Sequence, residues 1–385
     1  MKEKFLRELA DIQTGPFGSQ LHKEDYVADG TPIVTVEHLG NKMFFEQNLP
    51  RVSNTDKNRL KKYVLKQGDI VFSRVGSVDR CSYVDQKHDG WMFSGRCLRV
   101  RPTSEIDSEY LYYYFCLEET KQFVRNIAVG ATMPSINTKL LGEVVVTFPE
   151  LEQQKRISGI LSAIDSKIEV NQKINDNLSD LLQTIYQGQF GKVGLANNCG
   201  ILADICSYSK DKIEISKLSL DTYYSTENML PEKSGAVKAT SLPTTSQTTA
   251  CHKGDTLISN IRPYFKKIVY CEDDCGCSTD VLCFKPVHPR YTAYLFSTLY
   301  ADSFFNFMVA GAKGTKMPRG DKQQIMTYPV VLPSEKDLSE FNSVATPILT
   351  QIYSNRTESE RLSAIRDTLL PKLILGEIDV SSIQL

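Results

Sequence analysis

The sequence contains 385 residues, of which 41% are hydrophobic and 24% are charged, and its formal net charge is −1. This length allows two domains with separate cores, and no run approaches the roughly 18 apolar residues of a membrane helix. The N-terminus lacks an apolar signal segment, so we expect a cytoplasmic protein whose ten cysteines are reduced thiols.

Residues 1–149 carry short runs rich in β-branched and aromatic residues, such as TPIVTVEHL, GDIVFSRV and EVVVTF. Glycine, proline and aspartate bound these runs, which is typical of β-strands. A helix is predicted around SEYLYYYFCLEETKQFVRN. We therefore predict a mixed α/β domain over residues 1–149.

A long helix is predicted for residues 150–192, because apolar residues recur there at spacings of three and four. These residues are Ile157, Leu161, Ile164, Ile168, Ile174, Leu178, Leu181 and Ile185. Asn171 interrupts the apolar face. It is either buried, where it would fix the register of a partner helix, or solvated while the apolar stripe drifts around the helix.

The second half of the chain repeats the first, with residues 193–332 matching the domain and residues 333–385 matching the helix. GDTLIS at Gly254–Ser259 repeats GDIVFS at Gly68–Ser73, and Met317-Pro318 follows Met133-Pro134 at an offset of 184. The apolar positions of the second helix are Phe341, Ala345, Ile348, Ile352, Leu362, Ile365 and Leu369. Asn355 corresponds to Asn171, whereas Pro347 is predicted to start or kink the second helix. The repeat predicts an α+β fold of two similar mixed α/β domains separated by a pair of long antiparallel helices.

No catalytic constellation is found in the sequence. It lacks a phosphate-binding loop, the Asn/Asp-Pro-Pro-aromatic motif of amino-methyltransferases, H-E-x-x-H and G-x-S-x-G. Cys271, Cys275, Cys277 and Cys283 offer four thiolates for zinc, but without paired C-x-x-C turns they are more typical of small apolar core residues. We predict a protein without catalytic or metal-binding residues. A stand-alone methyltransferase or nuclease with an unrecognised motif and a coiled-coil adaptor that does not bind DNA are the alternatives.

Residues 57–101 combine eleven lysines and arginines with four acidic residues. Such a stretch is either a phosphate-binding face or a surface whose acidic partners come from elsewhere in the fold. The loops after the two Gly-Asp strands carry arginine, asparagine, serine, tyrosine and lysine, which contact bases and phosphates in DNA complexes. The Met-Pro loops add further basic residues. The predicted DNA-binding residues are Ser19, Lys23, Ser73, Arg74, Ser77, Arg96, Lys139, Asn260, Arg262, Tyr264, Lys266, Lys313, Lys316 and Arg319.

Over essentially its whole length, the chain resembles the specificity subunits of bacterial Type I restriction–modification systems. The resemblance is carried by LADIQTGPFGSQL, GTPIVTVEHL, GDIVFSRVGS, GDTLISNIRPYFKK and the two helical segments that begin FPELEQQKRIS and LPSEKDLSEF. It implies two target-recognition domains, residues 1–149 and 193–332, each of which reads one half of a split double-stranded DNA sequence.

The resemblance further implies that the helices over 150–192 and 333–385 act as a spacer and as the docking platform for two modification subunits. The residues assigned to this role are Ile157, Leu161, Ile164, Ile168, Asn171, Leu178, Phe341, Ile348, Ile352, Asn355, Leu362 and Leu369. The modification subunits bind S-adenosylmethionine and methylate adenine, and the restriction subunits supply translocation and cleavage that depend on ATP and Mg²⁺. The specificity subunit itself binds no cofactor directly and has no membrane partner.

Overall fold

A computed structural model describes residues 1–191 and 198–381, apart from the side chain of Lys23. The described chain forms two compact units, one from Met1–Glu169 with the segment that begins at Ser359, and one from Val170–Glu358. The predicted boundary between residues 192 and 193 falls outside the described residues, and the domain limits remain predictions. No helix among the described residues is both long and apolar enough to cross a membrane.

The first unit contains ten strands and five short helices before the long helix α6. They are β1 (Lys2–Phe5), α1 (Leu6–Leu9), β2 (Ala10–Thr14), β3 (Tyr26–Val27), β4 (Thr31–Val34), β5 (Arg51–Val52), α2 (Asn54–Arg59), β6 (Ile70–Ser73), β7 (Cys81–Tyr83), β8 (Met92–Phe93), β9 (Cys97–Pro102), α3 (Ser108–Cys116), α4 (Glu118–Ile127), α5 (Thr138–Gly142), β10 (Val145–Phe148) and α6 (Leu151–Phe190).

Three sheets organise the first unit. The main sheet has the antiparallel order β2-β9-β6-β7, the second has the order β3-β5-β4-β8 with β4 parallel to β8, and β1 pairs with β10. In the main sheet, Phe72 of the central strand β6 lies opposite Leu98 and Cys81. All four residues of β6 are buried, which accounts for the continuous apolar run in the sequence.

The second unit repeats this arrangement. Its elements are β11 (Cys199–Ile201), β12 (Cys206–Tyr208), β13 (Lys212–Glu214), β14 (Tyr223–Tyr224), β15 (Gln247–Cys251), β16 (Thr256–Ser259), β17 (Ile268–Tyr270), β18 (Cys275–Cys277), β19 (Val281–Pro286), α7 (Thr292–Tyr300), α8 (Asp302–Ala310), α9 (Lys322–Met326), β20 (Pro329–Val331) and α10 (Glu335–Ile374). The sheet orders are β12-β19-β16-β17, β13-β15-β18-β14 and β11-β20. The predicted internal repeat is therefore present in the fold, with β16 in the central place of β6.

The two 40-residue helices α6 and α10 contribute to both units. In the first unit, Ile157 and Leu161 of α6 are buried in the core with Leu370 and Leu373 of α10. In the second, Tyr186 of α6 is buried with residues from the N-terminal half of α10, including Phe341, Ala345 and Ile348. The start of each helix is thus buried in the same core as the end of the other, as the predicted antiparallel pair requires.

Three asparagines are buried where the helices pair in the second unit. Asn171 Nδ2 donates to the carboxylate of Glu358 at 2.8 Å, and Asn355 Nδ2 donates to Asn175 Oδ1 at 2.8 Å. Gln351 Nε2 in turn donates to Asn355 Oδ1 at 2.8 Å. Of the two alternatives for Asn171 and Asn355, burial is the one observed. Asn175, which no repeated sequence position indicates, belongs to the same network.

Some predicted positions on the helices need correction. Helix α10 begins at Glu335 and continues through Pro347, so this proline does not start the helix. Pro347 is exposed, and packing by its buried neighbours Ala345 and Ile348 offsets the cost of the missing N–H, about 3 kcal/mol in a helix interior. Ile174, Leu181 and Ile365 are exposed, because the buried stripe runs through Asn175, Leu182 and Leu370 instead. The remaining predicted apolar positions of both helices are buried or half-buried; they are Ile157, Leu161, Ile164, Ile168, Leu178, Ile185, Phe341, Ala345, Ile348, Ile352, Leu362 and Leu369.

The cysteines of the second unit belong to a small apolar core. Cys271, Cys275, Cys277 and Cys283 are all buried there with Cys251, and their apolar neighbours include Leu257, Val269 and Val281. Desolvation by burial contributes to raising the pKa of the Cys283 thiol. Within residues 1–191 and 198–381, no group of three or more histidine, cysteine or acidic side chains is arranged to hold a metal ion.

Candidate nucleic-acid interface

The repeated Gly-Asp phrase is a structural turn that leads into the central strand of each main sheet. Gly68 and Gly254 have φ values of +90° and +92°, a left-handed conformation that glycine adopts without strain. The following aspartates close the turn, because Asp69 accepts the Lys66 N–H and Asp255 accepts the His252 N–H, both at 2.8 Å. The phrase recurs because both sheets need the same entry into their central strand.

The last serine of each phrase also has a structural role. Ser73 is fully buried, and its hydroxyl donates to the Val75 carbonyl oxygen at 2.7 Å. Ser259 is buried in the same way and donates to the Ile261 carbonyl oxygen at 3.2 Å. In this conformation the buried Ser73 hydroxyl orders its own turn and does not face solvent, and its predicted DNA contact stays a prediction.

In the first unit, the loop after β6 lies against the Met-Pro loop. The Gly76 N–H donates to the Pro134 carbonyl oxygen at 2.8 Å, and the Ile136 N–H donates to the Arg74 carbonyl oxygen at 3.0 Å. Residues 129–135 form a small hairpin closed by two bonds of 2.9 Å between Val129 and Ser135. Two segments that are distant in sequence therefore form one continuous surface.

The second unit builds the same surface with equivalent hydrogen bonds. The Arg262 N–H donates to the Pro318 carbonyl oxygen at 2.8 Å, and the Gly320 N–H donates to the Asn260 carbonyl oxygen at 3.2 Å. Its hairpin is closed by two bonds of 2.9 Å between Lys313 and Arg319. Backbone contacts are thus conserved between the two halves, whereas the side chains on them differ.

Several predicted residues of the first unit lie at this surface or next to it. The Arg74 guanidinium donates to the Gly95 carbonyl oxygen at 3.2 Å and lies 5.5 Å from the centre of the Phe17 ring. Ser77 is exposed in the same loop. Arg96 is exposed, its carbonyl oxygen accepts the Arg74 N–H, and it lines an open cleft of about 540 Å³. Ser19 and Lys139 are also exposed, but no contact places them against the loop after β6; Lys23 lies outside the described side chains.

The predicted residues of the second unit divide into exposed, paired and buried groups. Arg262, Tyr264 and Lys316 are exposed. The remaining basic residues have acidic partners: Lys266 contacts Asp302 at 3.0 Å, Lys313 contacts Asp321 at 2.6 Å and Arg319 contacts Asp280 at 3.0 Å. Asn260 is only 6% exposed, so its side chain is better placed to support the loop than to read a base.

The basic stretch over residues 57–101 does not form a single positive face. Arg99 is buried and pairs with Asp11, which lies outside the stretch. Arg101 makes a bidentate pair with the buried Asp69, with both N–O distances at 2.7 Å. Lys87 pairs with Glu46. Arg99 and Lys87 thus have acidic partners from other parts of the fold, and Arg101 has one inside the stretch, whereas Arg74 and Arg96 lie at the loop surface.

The exposed apolar residues at the tips of the two hairpins were not among the predicted DNA-binding residues. Met133 is 64% exposed and Met317 is 50% exposed, and each precedes a proline at the same place in its repeat. Phe265, which is 37% exposed beside Tyr264, was not among the predicted residues either. A usable signal was present, because Gly-x-x-Met-Pro recurs at an offset of 184 at Gly130 and Gly314, both with positive φ.

Comparison with known proteins gives consistent results. A family model described as the Type I restriction modification DNA specificity domain matches residues 1–180. The Type I restriction enzyme MjaIX specificity subunit of Methanocaldococcus jannaschii is 22% identical over 311 residues, which cover 74% of this chain and 72% of that protein. The HindI specificity subunit of Haemophilus influenzae is 28% identical over 133 residues, 34% of this chain and 29% of that protein. A crystal structure of the Type I restriction–modification S subunit from M. genitalium has a similar fold, with a TM-score of 0.58 and 17% identity over 97% of this chain and 95% of that one.

Proposed function

We propose that this chain is a specificity subunit of a Type I restriction–modification system and that each of its two units reads one half of a split double-stranded DNA target, as the match of residues 1–180 to that family and the similarity to such subunits support. One observation carries this proposal. Both units join the loop after their central strand to a hairpin through equivalent backbone hydrogen bonds, yet present different side chains there. A shared frame with different side chains suits two readers of two different sequences.

The side chains at the two surfaces fit direct readout of bases. The Arg262 guanidinium lies beside its hairpin at the Lys316 carbonyl oxygen, and the Arg74 guanidinium lies at the Gly95 carbonyl oxygen in the loop next to its hairpin. Arginine binds guanine O6 and N7 in a bidentate manner. Lys316 extends the second surface and suits a phosphate contact. We assign base recognition to the two arginines and backbone contact to this lysine.

We further propose that the long helices bind two modification subunits and set the spacing between the half-sites. Helices α6 and α10 are copies within the internal repeat and occupy equivalent places in the two cores, so each presents its exposed face at an equivalent position. Two equivalent surfaces suit two copies of one partner. On this assignment S-adenosylmethionine belongs to the modification subunits, ATP and Mg²⁺ belong to the restriction subunits, and this chain supplies recognition alone.

Mapping methylated adenines genome-wide, in cells with and without this chain, tests the proposed function. We expect methylation at one split sequence to depend on the chain, and exchange of residues 200–332 for those of another family member to change one half of that sequence only. Transfer of a labelled methyl group from S-adenosylmethionine to DNA by the isolated chain would contradict the proposal, because it would place catalysis in this polypeptide.

Salt dependence of DNA binding gives a second test. With its modification subunits, the chain should bind target duplex in a gel-shift assay with an affinity that falls steeply as salt rises, because phosphate contacts release counterions. Binding that is insensitive to salt, or absent with all partners present, would contradict a DNA-recognition role.

A further inference from the structure

Two neighbouring aromatic rings are exposed at the tip of the second unit's loop. Tyr264 is 47% exposed and Phe265 is 37% exposed, with their ring centres 4.8 Å apart and their planes inclined by 58°. They occupy the short 3-10 turn Pro263–Phe265, in which Pro263 is buried. The turn is therefore anchored by the proline while both rings face solvent, where neither gains the stabilisation of apolar burial.

The backbone around the rings is strained. Arg262 and Lys266, on either side of the turn, both have φ values of +50°. Glu232 and Lys233, with φ values of +52° and +61°, donate their N–H groups to the carbonyl oxygens of Phe265 and Lys266 at 2.8 and 3.0 Å. Among the described residues six non-glycine residues have positive φ, and these are four of them. Strain concentrated in this way is typical of functional sites.

The charges around the rings indicate a nucleic acid as their partner. Lys267 Nζ lies 5.9 Å from the centre of the Phe265 ring, and Arg262 directly precedes the turn. The nearby carboxylate of Asp302 contacts two lysines, Lys233 at 2.8 Å and Lys266 at 3.0 Å. Around the turn, four basic residues (Arg262, Lys233, Lys266 and Lys267) outnumber two acidic ones (Asp302 and Glu232). This net positive charge suits a phosphate backbone beside stacked bases.

We propose that Tyr264 and Phe265 form an aromatic wedge that enters a base step of the half-site read by the second unit and bends the DNA there. Apolar and aromatic side chains inserted in this way partly unstack the step and kink the duplex. This inference rests on the proposed function, because it requires the second unit to bind DNA. It replaces the phosphate contact predicted for Tyr264, since Phe265 has no polar group and shares the same exposure.

The first unit provides an internal control. Its equivalent loop runs from Arg74 to Arg80 without an aromatic residue, and its one positive-φ position is Gly76. Two exposed rings from other segments lie beside this loop, Phe17 at 5.5 Å from the Arg74 guanidinium and Phe45 at 5.9 Å from that of Arg80, but they are not adjacent in sequence and do not form a pair within the loop itself. The wedge is therefore expected in one half-site and not in the other, so a single complex contains both the test and its comparison.

Base-stacking fluorescence tests the wedge in the complete complex with modification subunits. In a series of target duplexes, one base is replaced at a time: each adenine by 2-aminopurine and each cytosine by pyrrolocytosine, whose fluorescence rises when the base is unstacked. We expect bright signals at the adenines that methyltransferases flip, in both half-sites, and at one further step in the second unit's half-site. The Tyr264→Ala/Phe265→Ala double variant should lose this further signal and roughly tenfold or more in affinity, while the flipped-adenine signal of the first half-site persists.

Variants separate the wedge from other roles of the rings. Tyr264→Phe should keep the further signal, because only the hydroxyl is removed, and Phe17→Ala should leave it unchanged. Specific binding without a further signal in the wild-type complex would overturn the wedge and leave the proposed function intact. Loss of modification-subunit binding by the double variant in the absence of DNA would show that the rings contact protein and would also overturn it. Failure of the wild-type complex to bind any specific DNA would instead overturn the proposed function.

Discussion

Replacing Arg262 by glycine is expected to stabilise the second unit and to weaken DNA recognition at the same time. Arg262 has φ +50° and ψ +63°, and its N–H donates to Pro318. The equivalent residue of the first unit is Gly76, with φ +76° and the equivalent bond to Pro134. A left-handed conformation costs a side-chain-bearing residue about 1–2 kcal/mol. Glycine removes that cost but adds about 0.5–1 kcal/mol of chain entropy, so the midpoints of these ranges give a net gain of about 0.75 kcal/mol.

Thermal unfolding of the full chain measures this gain. For a unit of this size, 1 kcal/mol corresponds to a rise of about 2–4 °C in Tm. The same variant should lose a guanine contact, which costs about 1–3 kcal/mol of DNA binding. Gly76→Ala is the matched control, because no atom lies within 4 Å of an added Cβ and the expected effect is the backbone cost alone, a lower Tm. An unchanged or lower Tm for Arg262→Gly would refute the claim that this position is held under strain.

Three further predictions concern the half-sites and the helices. Arg74→Ala and Arg262→Ala should each weaken binding by about 1–3 kcal/mol through one half-site only, and equal losses on every DNA sequence would identify phosphate contacts instead. Four residues inserted after Asn171, which add about 6 Å of helix, should lengthen the preferred gap by one or two base pairs in methylation mapping while both half-sites stay the same. Asn355→Leu should lower the free energy of unfolding, measured by urea titration, by about 1–3 kcal/mol, because the buried Asn175 Oδ1 loses the hydrogen bond of 2.8 Å that Asn355 Nδ2 donates to it.

Features that depend on periodicity and repetition were predictable from the sequence. The run at Ile70–Ser73 became a central buried strand, and the spacing that includes Ile157 and Leu161 became the buried face of a 40-residue helix. The shift of the buried stripe from Leu181 to Leu182 was not predictable. An α-helix has 3.6 residues per turn, so a stripe with spacings of three and four drifts around it, and the partner helix determines which residues are buried. The course of α10 through Pro347 likewise depends on packing of neighbouring residues, which local propensity does not include.

The candidate surface was only partly predictable, for a different reason. Residue type suggested Arg74, Arg262 and Tyr264, which are half-buried or exposed at or near the loops. Residue type also suggested Ser73 and Lys266. The Ser73 hydroxyl donates to the Val75 carbonyl oxygen within its own turn, and the Lys266 ammonium is paired with Asp302. Whether a polar side chain reaches a ligand depends on partners that are distant in sequence, and a single sequence does not contain that information.

The internal repeat separates scaffold from readout within one polypeptide. Positions that agree between the halves, such as Gly68 with Gly254 and the Met-Pro hairpins, preserve turns and hydrogen bonds that both units need. Side chains that differ between equivalent positions of the two units are not required for the turns and hydrogen bonds that the units share. Gly76 and Arg262 make the sharpest contrast, because the same backbone conformation is met without strain in one unit and at a cost in the other. A less stable residue at a position where glycine suffices needs a compensating role outside folding, and the guanine contact proposed for Arg262 supplies one.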